Sequence, residues 1–559
     1  PRGSHLIQHH PVTITINRLL MMPMRSTLAG LTWAGGLLVY TIGAVLPACA
    51  NDQPGALEEI IVTASRRSES VQDVAMSVSA FSKETIQDAN ITDANALAII
   101  SPALTITTNV QPFTAGFRIR GIGTSQSDVA LEPSVGIFVD DVYLNRSGLG
   151  MADLTDIERI EVLHGPQGTL YGKNTNAGAI SVFTRLPNSE EYEGYLEMTA
   201  GNYDLWKIVA AASGPITDDL SFRISGTVNK RDGYLENGGP GDDLNDADDW
   251  NVIGKLLYEP FDNLTILLNA SHVDRSLRCC AADAEHGGSV NEQLVAEGLP
   301  PDANDPFDYE TAVDVENDFT SETSSLSLVV DYLFEWGSLK SITAWSETEV
   351  FISYDIDRSQ LDVMSYVGAT SDGDTFSQEF RLAIDQGETF EHLLGLFYFE
   401  SSTKAGEGQP FVFLGEDFLT QGNQQDGLLD NYPPGIPGLG FIAQPGDSLR
   451  SENDLDTENL AIFGQSTWYI TDDWQVTGGL RWTDEKKDAV MLTEIDSTAP
   501  SQQLLGLSFL TTISTPIDDS FSRSSDDLKW LVNTSYTPVS YTHLRAHETT
   551  ASISYAVFC

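Results

Sequence analysis

The chain has 559 residues, of which 81 are Asp or Glu and 30 are Lys or Arg, so its formal net charge is −51. This charge argues against nucleic acid as a partner, because phosphate is repelled at long range. Hydrophobic residues make up 41% of the chain, but no run of about twenty apolar residues follows residue 50, which excludes a helical membrane protein and leaves a membrane β-barrel open.

The first 50 residues predict export from the cytoplasm. Met24 and Arg25 open a stretch with a basic start, an apolar centre over residues 28–46, and the small-residue sequence Ala48-Cys49-Ala50. This pattern is typical of a secretory signal peptide over residues 24–50. A lipoprotein signal with a lipidated Cys49 is the alternative. Residues 1–23 are interpreted as an upstream leader or as cloning residues outside the fold.

The next segment, residues 51–66, contains a β-branched run beside acidic residues. An extended chain of this kind can add a strand to the sheet edge of a partner protein. An ordinary first strand of the following domain is the alternative. The residues concerned are Glu59, Ile60, Ile61, Val62, Thr63 and Ala64.

Residues 157–185 join two predicted strands through a glycine turn. Ile157, Ile160 and Val162 supply an apolar strand, Gly165-Pro166 forces a turn, and residues 180–183 resume a β-rich run. A phosphate-binding loop does not fit this stretch, because three residues instead of four separate its first glycine from Gly-Lys, and Asn follows the lysine. A dinucleotide-binding fingerprint at residues 121–126 also fails, because Gln126 stands where the third glycine belongs.

This order of strand, turn and strand resembles the plug domain of TonB-dependent outer-membrane receptors. Two further stretches, residues 117–121 and 135–143, are similar to that plug, and short helices are predicted at residues 82–86 and 94–100. The resemblance implies a plug domain over residues 67–186 and a TonB box in residues 59–64. The plug residues that carry it are Arg118, Arg120, Gly121, Asp140, Asp141, Glu158, Arg159, Glu161, His164, Gly165, Pro166, Gly168, Tyr171 and Gly172.

One plug position departs from the family. His164 stands where these receptors usually have an arginine in the turn. It is interpreted either as a contact that responds to pH or as a neutral, hydrogen-bonded histidine. In the family, plug arginines form ion pairs with glutamates of the barrel. The expected pair in this chain is Arg120 with Glu379.

After Arg185 the chain changes to segments of roughly seven to fourteen residues in which polar and apolar positions alternate. The predicted fold is therefore mostly β, with a small α/β plug inside an antiparallel transmembrane β-barrel over residues 187–538. Barrels of the family have about 22 strands, whereas about a dozen are predicted here. Residues 276–321 and 403–457 are expected to be extracellular loops. Residues 539–559 are interpreted as an aberrant tail on a truncated barrel.

Aromatic residues near the segment ends fit an interfacial girdle, as at Tyr258, Trp468 and Trp474. The vicinal pair Cys279-Cys280 is interpreted as loop stabilisation, with a zinc site that includes His272 and His286 as the alternative. No metal site and no resident cofactor are predicted, although the ligand itself can be an iron chelate.

The resemblance implies TonB-dependent active transport of a scarce, bulky solute across the Gram-negative outer membrane. The solute would be a siderophore–iron complex or an organic nutrient. Implied partners are the TonB energy-transducing complex, lipid and lipopolysaccharide, and a small-molecule ligand bound near residues 124–132. No motif of a catalytic triad or metallohydrolase is present, so no enzyme is predicted. An outer-membrane adhesin without energy coupling is the alternative.

Overall fold

The structure is a computed structural model. It describes residues 12–17, 60–67, 69–72, 74–107, 115–124, 131–146, 148, 154–279, 294–299, 308–356, 358–386, 389–406, 412–415, 443–499, 502, 510 and 516–536. None of the helices in this part of the chain has the length and hydropathy that a bilayer crossing requires.

The first body of the fold is a plug built on a five-stranded mixed sheet of order β4-β9-β10-β7-β8. In this sheet β10 runs parallel to β7, and the other neighbours are antiparallel. Two short ladders, β2 with β3 and β5 with β6, flank it. The plug elements are β2 (Ile61–Val62), β3 (Glu69–Ser70), β4 (Val78–Ser82), α1 (Lys83–Asp88), α2 (Ala94–Ile100), β5 (Leu104–Thr107), β6 (Gly116–Ile119), β7 (Val135–Val139), β8 (Val142–Leu144), β9 (Ile157–His164) and β10 (Gly178–Thr184).

Both plug helices begin where the sequence supplies a capping side chain. Ser82 accepts a hydrogen bond from the amide of Thr85, and Asp93 accepts one from the amide of Ala96 at 2.9 Å. The apolar faces of the helices pack with the central strands around Leu97, Ile160 and other buried side chains. The plug therefore has an apolar core of its own.

The second body is a 14-stranded antiparallel sheet, called the wall here, which has the order β1-β11-β12-β13-β15-β16-β18-β19-β20-β21-β23-β24-β25, with β22 beside β20 and β23. The first and last members of this order, β1 and β25, form no ladder with each other in the described residues. The wall strands are β1 (Val12–Asn17), β11 (Glu193–Ala200), β12 (Trp206–Pro215), β13 (Leu220–Arg231), β15 (Ala247–Phe261), β16 (Leu264–Leu277), β18 (Asp318–Phe334), β19 (Gly337–Asp355), β20 (Met364–Gln386), β21 (Phe390–Ala405), β22 (Val412–Leu414), β23 (Ser448–Thr471), β24 (Trp474–Asp496) and β25 (Ile517–Tyr536). Outside the wall, β14 (Glu236–Asn237) pairs with β17 (Glu310–Thr311).

The two faces of the wall differ in polarity, as alternating residues show. On β18 the side chain of Leu328 is exposed on the outer face, whereas Ser327 faces the plug. On β24 Leu480 and Trp482 are exposed and Arg481 between them is buried. An apolar exterior with a polar interior is the arrangement that a lipid-spanning sheet requires. The predicted combination of a plug and an antiparallel barrel-like sheet is thereby confirmed.

The strand ends beside short turns agree with the sequence better than the ends beside long connections. The sequence predicts strands over Leu264 to Val273 and Trp474 to Thr483, which begin where β16 and β24 begin but stop before those strands end. A third predicted segment, Leu460 to Ile470, stops beside the end of β23, whereas β23 already starts at Ser448. Parts of the loops predicted over residues 276–321 and 403–457 are therefore strand. The prediction was wrong there because polar residues occupy both faces above the membrane, where no apolar alternation marks a strand.

Two predictions about the chain ends stay predictions. Residues 12–17 of the proposed leader form β1, which pairs with β11 from Val12 opposite Ala200. The interpretation of residues 1–23 as a leader or as cloning residues stays a prediction. The tail over residues 539–559 lies outside the described residues. The predicted girdle residues Tyr258, Trp468 and Trp474 are exposed on the wall.

Two glycines of the β9–β10 turn allow a stability prediction. Gly165 and Gly178 both have positive φ, +85° and +152°. A Cβ on Gly165 would meet no atom within 4 Å, whereas one on Gly178 would lie 2.2 Å from the carbonyl oxygen of Leu163. We expect Gly165→Ala to cost about 1–2 kcal/mol from backbone conformation alone, and Gly178→Ala to cost more because β9 and β10 must separate. Urea unfolding of the chain in detergent micelles measures both, and equal losses would contradict this reading.

Candidate functional site

Residues 60–64, which the sequence identified as the TonB box, lie against the plug. Val62 and Ala64 are fully buried, whereas Ile61 is 46% exposed. Ile61 and Val62 form β2, which pairs with β3 of the same chain. The segment is thus a strand on the plug surface, and Glu59 lies outside the described residues. Recruitment of a partner by this strand stays a prediction.

The carboxylate of Glu161 fixes this segment in place. The backbone N–H of Thr63 donates to both oxygens of Glu161, at 2.9 and 3.1 Å, and the Thr63 hydroxyl donates at 3.2 Å. Arg159 donates to Glu161 at 2.8 Å and to the Thr63 hydroxyl at 3.1 Å. Glu161 is fully buried, so these donors offset the cost of removing its charge from water. The docking therefore depends on one buried acid.

Arg66 and Asp141 connect the docked segment to the wall. Arg66 donates to Asp141 at 2.6 Å, and Arg381 of β20 lies 3.2 Å from the same oxygen. The Arg66 guanidinium also stacks 3.8 Å over the ring of Tyr171. Burial raises the pKa of Asp141, but Arg381 and Arg66 outweigh burial and hold this pKa below its usual range. Asp141 is thus an anion shared by plug and wall.

The ion pair expected between Arg120 and Glu379 is not formed. Arg120 donates to the hydroxyl of Ser77 at 3.0 Å on the exposed side of the plug. Glu379 accepts two hydrogen bonds from Arg381, at 2.7 and 2.8 Å, on its own strand. Glu379 does lie at the plug–wall boundary, in a small cavity that Arg66 and Asp141 also line. The charges are therefore the reverse of the prediction: a plug carboxylate, Asp141, contacts a wall arginine, Arg381.

Three other ion-pair groups join the plug to the wall. Asp140 accepts from Lys255 at 2.9 Å and from the amide of Thr184 at 2.8 Å. Asp156 accepts two hydrogen bonds from Arg223, each 2.6 Å long. These contacts place opposite charges on the two bodies at separate points, so the orientation of the plug is specified as well as its position.

The third group joins Glu132, which lies just before β7 of the plug, to β24 of the wall. Glu132 contacts Lys173 and Lys487, each at 2.8 Å, and Lys173 also lies 3.0 Å from Glu485. Burial raises the pKa of Glu132, but the two ammonium groups outweigh burial and lower this pKa to about 2. Glu132 belongs to the segment predicted to contact ligand, of which residues 125–130 lie outside the described residues. Thr124 in that segment hydrogen-bonds Ser134 at 2.6 Å.

His164 has the environment of a neutral histidine. Its side chain is buried, and Nε2 lies 3.0 Å from the hydroxyl of Ser79. Burial lowers the pKa of His164, and the nearby charge of Arg120 lowers it further. At neutral pH the imidazole is therefore uncharged, and it loses this state only in acid.

The remaining plug residues have local roles or none that the contacts show. Gly121 and Gly172 adopt positive φ in turns, Gly168 lies beside the Lys529 side chain, and the side chain of Glu158 is about half exposed. Seven residues of the plug–wall interface were not predicted from the sequence: Arg66, Arg67, Asp156, Lys173, Arg223, Lys255 and Arg381. The signal available for the first two was an Arg-Arg pair directly after the box; Arg67 binds Glu391 and the carbonyl of His392 in the wall.

Metal ligation is not a feature of the described part of the chain, where no group of three or more His, Cys, Asp or Glu side chains could hold an ion. His272, a ligand in the zinc alternative, lies 2.9 Å from the hydroxyl of Ser324. Cys279 is disulfide-bonded, and Cys280 and His286 lie outside the described residues.

The Asp141 contacts predict a stability change. Asp141→Asn removes the charge between Arg66 and Arg381, and breaking a buried ion pair from one side costs about 3–5 kcal/mol; we expect the lower part of that range because Arg381 keeps Glu379. Limited proteolysis at residues 60–67 should accelerate with it. Glu158→Gln, an exposed acid of the same plug, is the control. Unchanged proteolysis in Asp141→Asn would show that this carboxylate does not hold the segment.

The His164 environment predicts a pH dependence. Because its folded pKa lies below the unfolded value of about 6.5, its contribution to stability is complete above about pH 6.5 and is lost as pH falls through the folded pKa. His164→Gln cannot titrate at this position, so we expect its unfolding midpoint to change less with pH than that of the wild type between about pH 7 and 5. A mutant profile that parallels the wild type over this window would assign the loss to other groups.

Comparison with known proteins agrees with this geometry. The TonB-dependent Receptor Plug Domain model matches residues 70–179, and the TonB dependent receptor-like beta-barrel model matches residues 283–549. The Yersinia pestis pesticin receptor is 34% identical over 185 residues, which cover 32% of this chain and 27% of that protein. The Yersinia enterocolitica ferrioxamine receptor is 27% identical over 210 residues, 35% of this chain and 26% of that one. The matched part spans about a quarter of these relatives.

Solved structures share the fold. The ferric yersiniabactin uptake receptor FyuA from Yersinia pestis superposes with a TM-score of 0.63 at 21% identity, covering 83% of this chain and 62% of that one. The ferripyoverdine receptor of Pseudomonas aeruginosa gives a TM-score of 0.59 at 14% identity, covering 86% of this chain and 57% of that one. A plug with paired charges against a wall that is apolar outside, together with two family matches over more than half of the sequence, makes this chain a member of the TonB-dependent receptor family of the Gram-negative outer membrane.

Proposed function

We propose that the chain takes up a scarce, bulky solute across the outer membrane with energy supplied through TonB. The observation that carries the proposal is the docked segment at residues 60–64, whose buried side chains and Glu161 contacts continue directly into Arg66 and the wall. A displacement of this segment removes a donor from Asp141. The plug–wall contact then loses part of its charge balance.

The segment has the features that strand addition requires. Ile61 is exposed, and β2 has only a two-residue ladder with β3. A partner strand that pairs with residues 60–64 would replace these few backbone hydrogen bonds with a longer ladder. The Glu161 hydrogen bonds oppose this exchange, because hydrogen bonds to a charged group contribute about 1.5–3 kcal/mol. Coupling therefore needs a step that weakens the docking.

The names of the relatives support a class of solute. They include proteins named as a pesticin receptor and a ferrioxamine receptor, and a solved ferric yersiniabactin uptake receptor. These names support an iron chelate as cargo, with an organic nutrient as the other candidate. Iron would enter with the solute and would not be a resident cofactor, and no bond of the solute would be broken. The partners would be TonB, the ligand and the surrounding lipid.

The proposal is tested by binding of the chain to the purified periplasmic domain of TonB. Ile61→Pro removes a backbone donor and fixes φ, so it should abolish strand addition, whereas Ile61→Val keeps the β-branched character and should bind as the wild type does. Glu161→Gln weakens the docking and should increase binding about tenfold, the equivalent of 1.4 kcal/mol.

Fluorescence titration of a labelled TonB periplasmic domain with the detergent-solubilised chain measures the wild type and these three variants. Binding of Ile61→Pro at the wild-type level would overturn energy coupling and would leave the adhesin alternative, in which residues 60–64 are only the first strand of the plug. A Glu161→Gln variant that binds less would show that the docked conformation is the one that TonB recognises.

A further inference from the structure

We propose that the cavity between the plug and the wall binds an organic anion, a carboxylate-bearing group, through Arg275. The cavity has a volume of about 220 Å³ and lies between β7–β10 of the plug and strands β15, β16 and β18–β21 of the wall. The proposal deepens the proposed uptake function by naming a chemical class for part of the solute, and its meaning for transport rests on that function.

Arg275 is a buried cation that forms no hydrogen bond or ion pair within the part of the chain that the structure describes. It lies near the end of β16, faces the cavity and is 7% exposed. Across the ladders its neighbours are Ser321 on β18 and Asp249 on β15. Asp249 accepts a hydrogen bond from Asn229 at 3.2 Å, and Arg275 forms no ion pair with it or with any other residue that the structure describes. A buried charge of this kind is costly unless an opposite charge pairs with it.

The charge of the cavity lining is opposite to that of the chain. Acids outnumber bases by 81 to 30 in the sequence, yet the described residues that line the cavity include two arginines, Arg146 and Arg275, and no Asp, Glu, Lys or His. An excess of positive charge at this place is therefore a local property. It favours an anion over a cation or a metal ion at the same position.

The rest of the lining supplies hydrogen bonds suited to oxygen. Thirteen Ser and Thr side chains line the cavity, and their hydroxyl groups can donate to carboxylate oxygens or accept from hydroxyls of a ligand. The guanidinium of Arg275 has the planar donor geometry that binds a carboxylate through two hydrogen bonds. Ser321, directly across from Arg275, is placed to contact the same group.

The volume limits what enters. Pockets for whole drug-sized ligands measure about 300–1,000 Å³, so a cavity of about 220 Å³ holds one arm of a bulky solute. The cavity is therefore a subsite: a bulky solute carries a carboxylate arm that enters between plug and wall and contacts Arg275. A neutral polyol that uses only the hydroxyl lining is the competing occupant.

The experiment compares two four-carbon probes, meso-tartrate and erythritol, which share their configuration and differ in that carboxylates replace terminal alcohols. Titration calorimetry on the full chain in detergent micelles at low ionic strength measures both. We expect tartrate to bind at least about tenfold more tightly than erythritol, and Arg275→Gln to weaken tartrate about tenfold. Arg278→Gln is the matched control, because Arg278 pairs with Asp242 at 2.8 Å outside the cavity, and it should change tartrate affinity less than about twofold.

A second variant keeps the test valid if Arg275→Gln misfolds. Ser321→Asp places a carboxylate opposite Arg275, and we expect it to reduce tartrate binding about tenfold while the arginine remains. Tartrate binding that is unchanged in Ser321→Asp, equal in the Arg275 and Arg278 variants, or no tighter than erythritol binding would overturn the proposal. The assay contains no TonB domain, so a failure of energy coupling leaves it unaffected, and a failure here leaves the Ile61→Pro test unaffected.

Discussion

The fold depends on the need to place a polar plug against a sheet whose other face is apolar. Backbone groups in lipid must be paired within the protein, so the wall satisfies them through continuous antiparallel ladders. Its inner face is then free to be polar, and paired charges hold the plug there together with an apolar cluster that both bodies share. Asp140, Asp141 and Asp156 each bind a cation of the wall. Such pairs specify orientation, because a rotated plug would leave buried charges unpaired.

A smaller apolar cluster complements these charges at the docked segment. Val62 and Ala64 pack with plug residues such as Leu163 and with Phe399 and Phe463 of the wall. The segment therefore contacts both bodies, through side chains and through Arg66. Because Tyr171 lies under Arg66 and donates to the Thr63 carbonyl at 3.4 Å, a single ring contacts the segment and its first arginine. Burial raises the pKa of Tyr171 to about 12, so its hydroxyl remains a donor at any physiological pH.

Much of this arrangement could be predicted from the sequence, because strand starts follow turns and alternating residues mark the membrane face. The plug helices begin at Ser82 and Asp93, where capping residues are visible in the sequence. The first half of β23 could not be predicted, since Asp454 and Asp456 interrupt the apolar alternation there. Partner choice at the interface was also beyond the sequence. Arg120 and Arg66 look alike as residues, and only the register between the two bodies decides which of them meets a carboxylate.

The two-residue ladder between β2 and β3 has a mechanical consequence. A force applied before Ile60 peels this ladder open, so its hydrogen bonds break one after another. Strands β9 and β10 share a ladder seven residue pairs long within a five-stranded sheet, and a pull along their length loads those bonds together in shear. The same tension therefore opens the β2–β3 ladder before the plug sheet, and the load then falls on the Thr63–Glu161 hydrogen bonds and on the Arg66–Asp141 pair. Under such a force the plug loses its ladders in a fixed order: β2 separates from β3 first, and β9 and β10 stay paired.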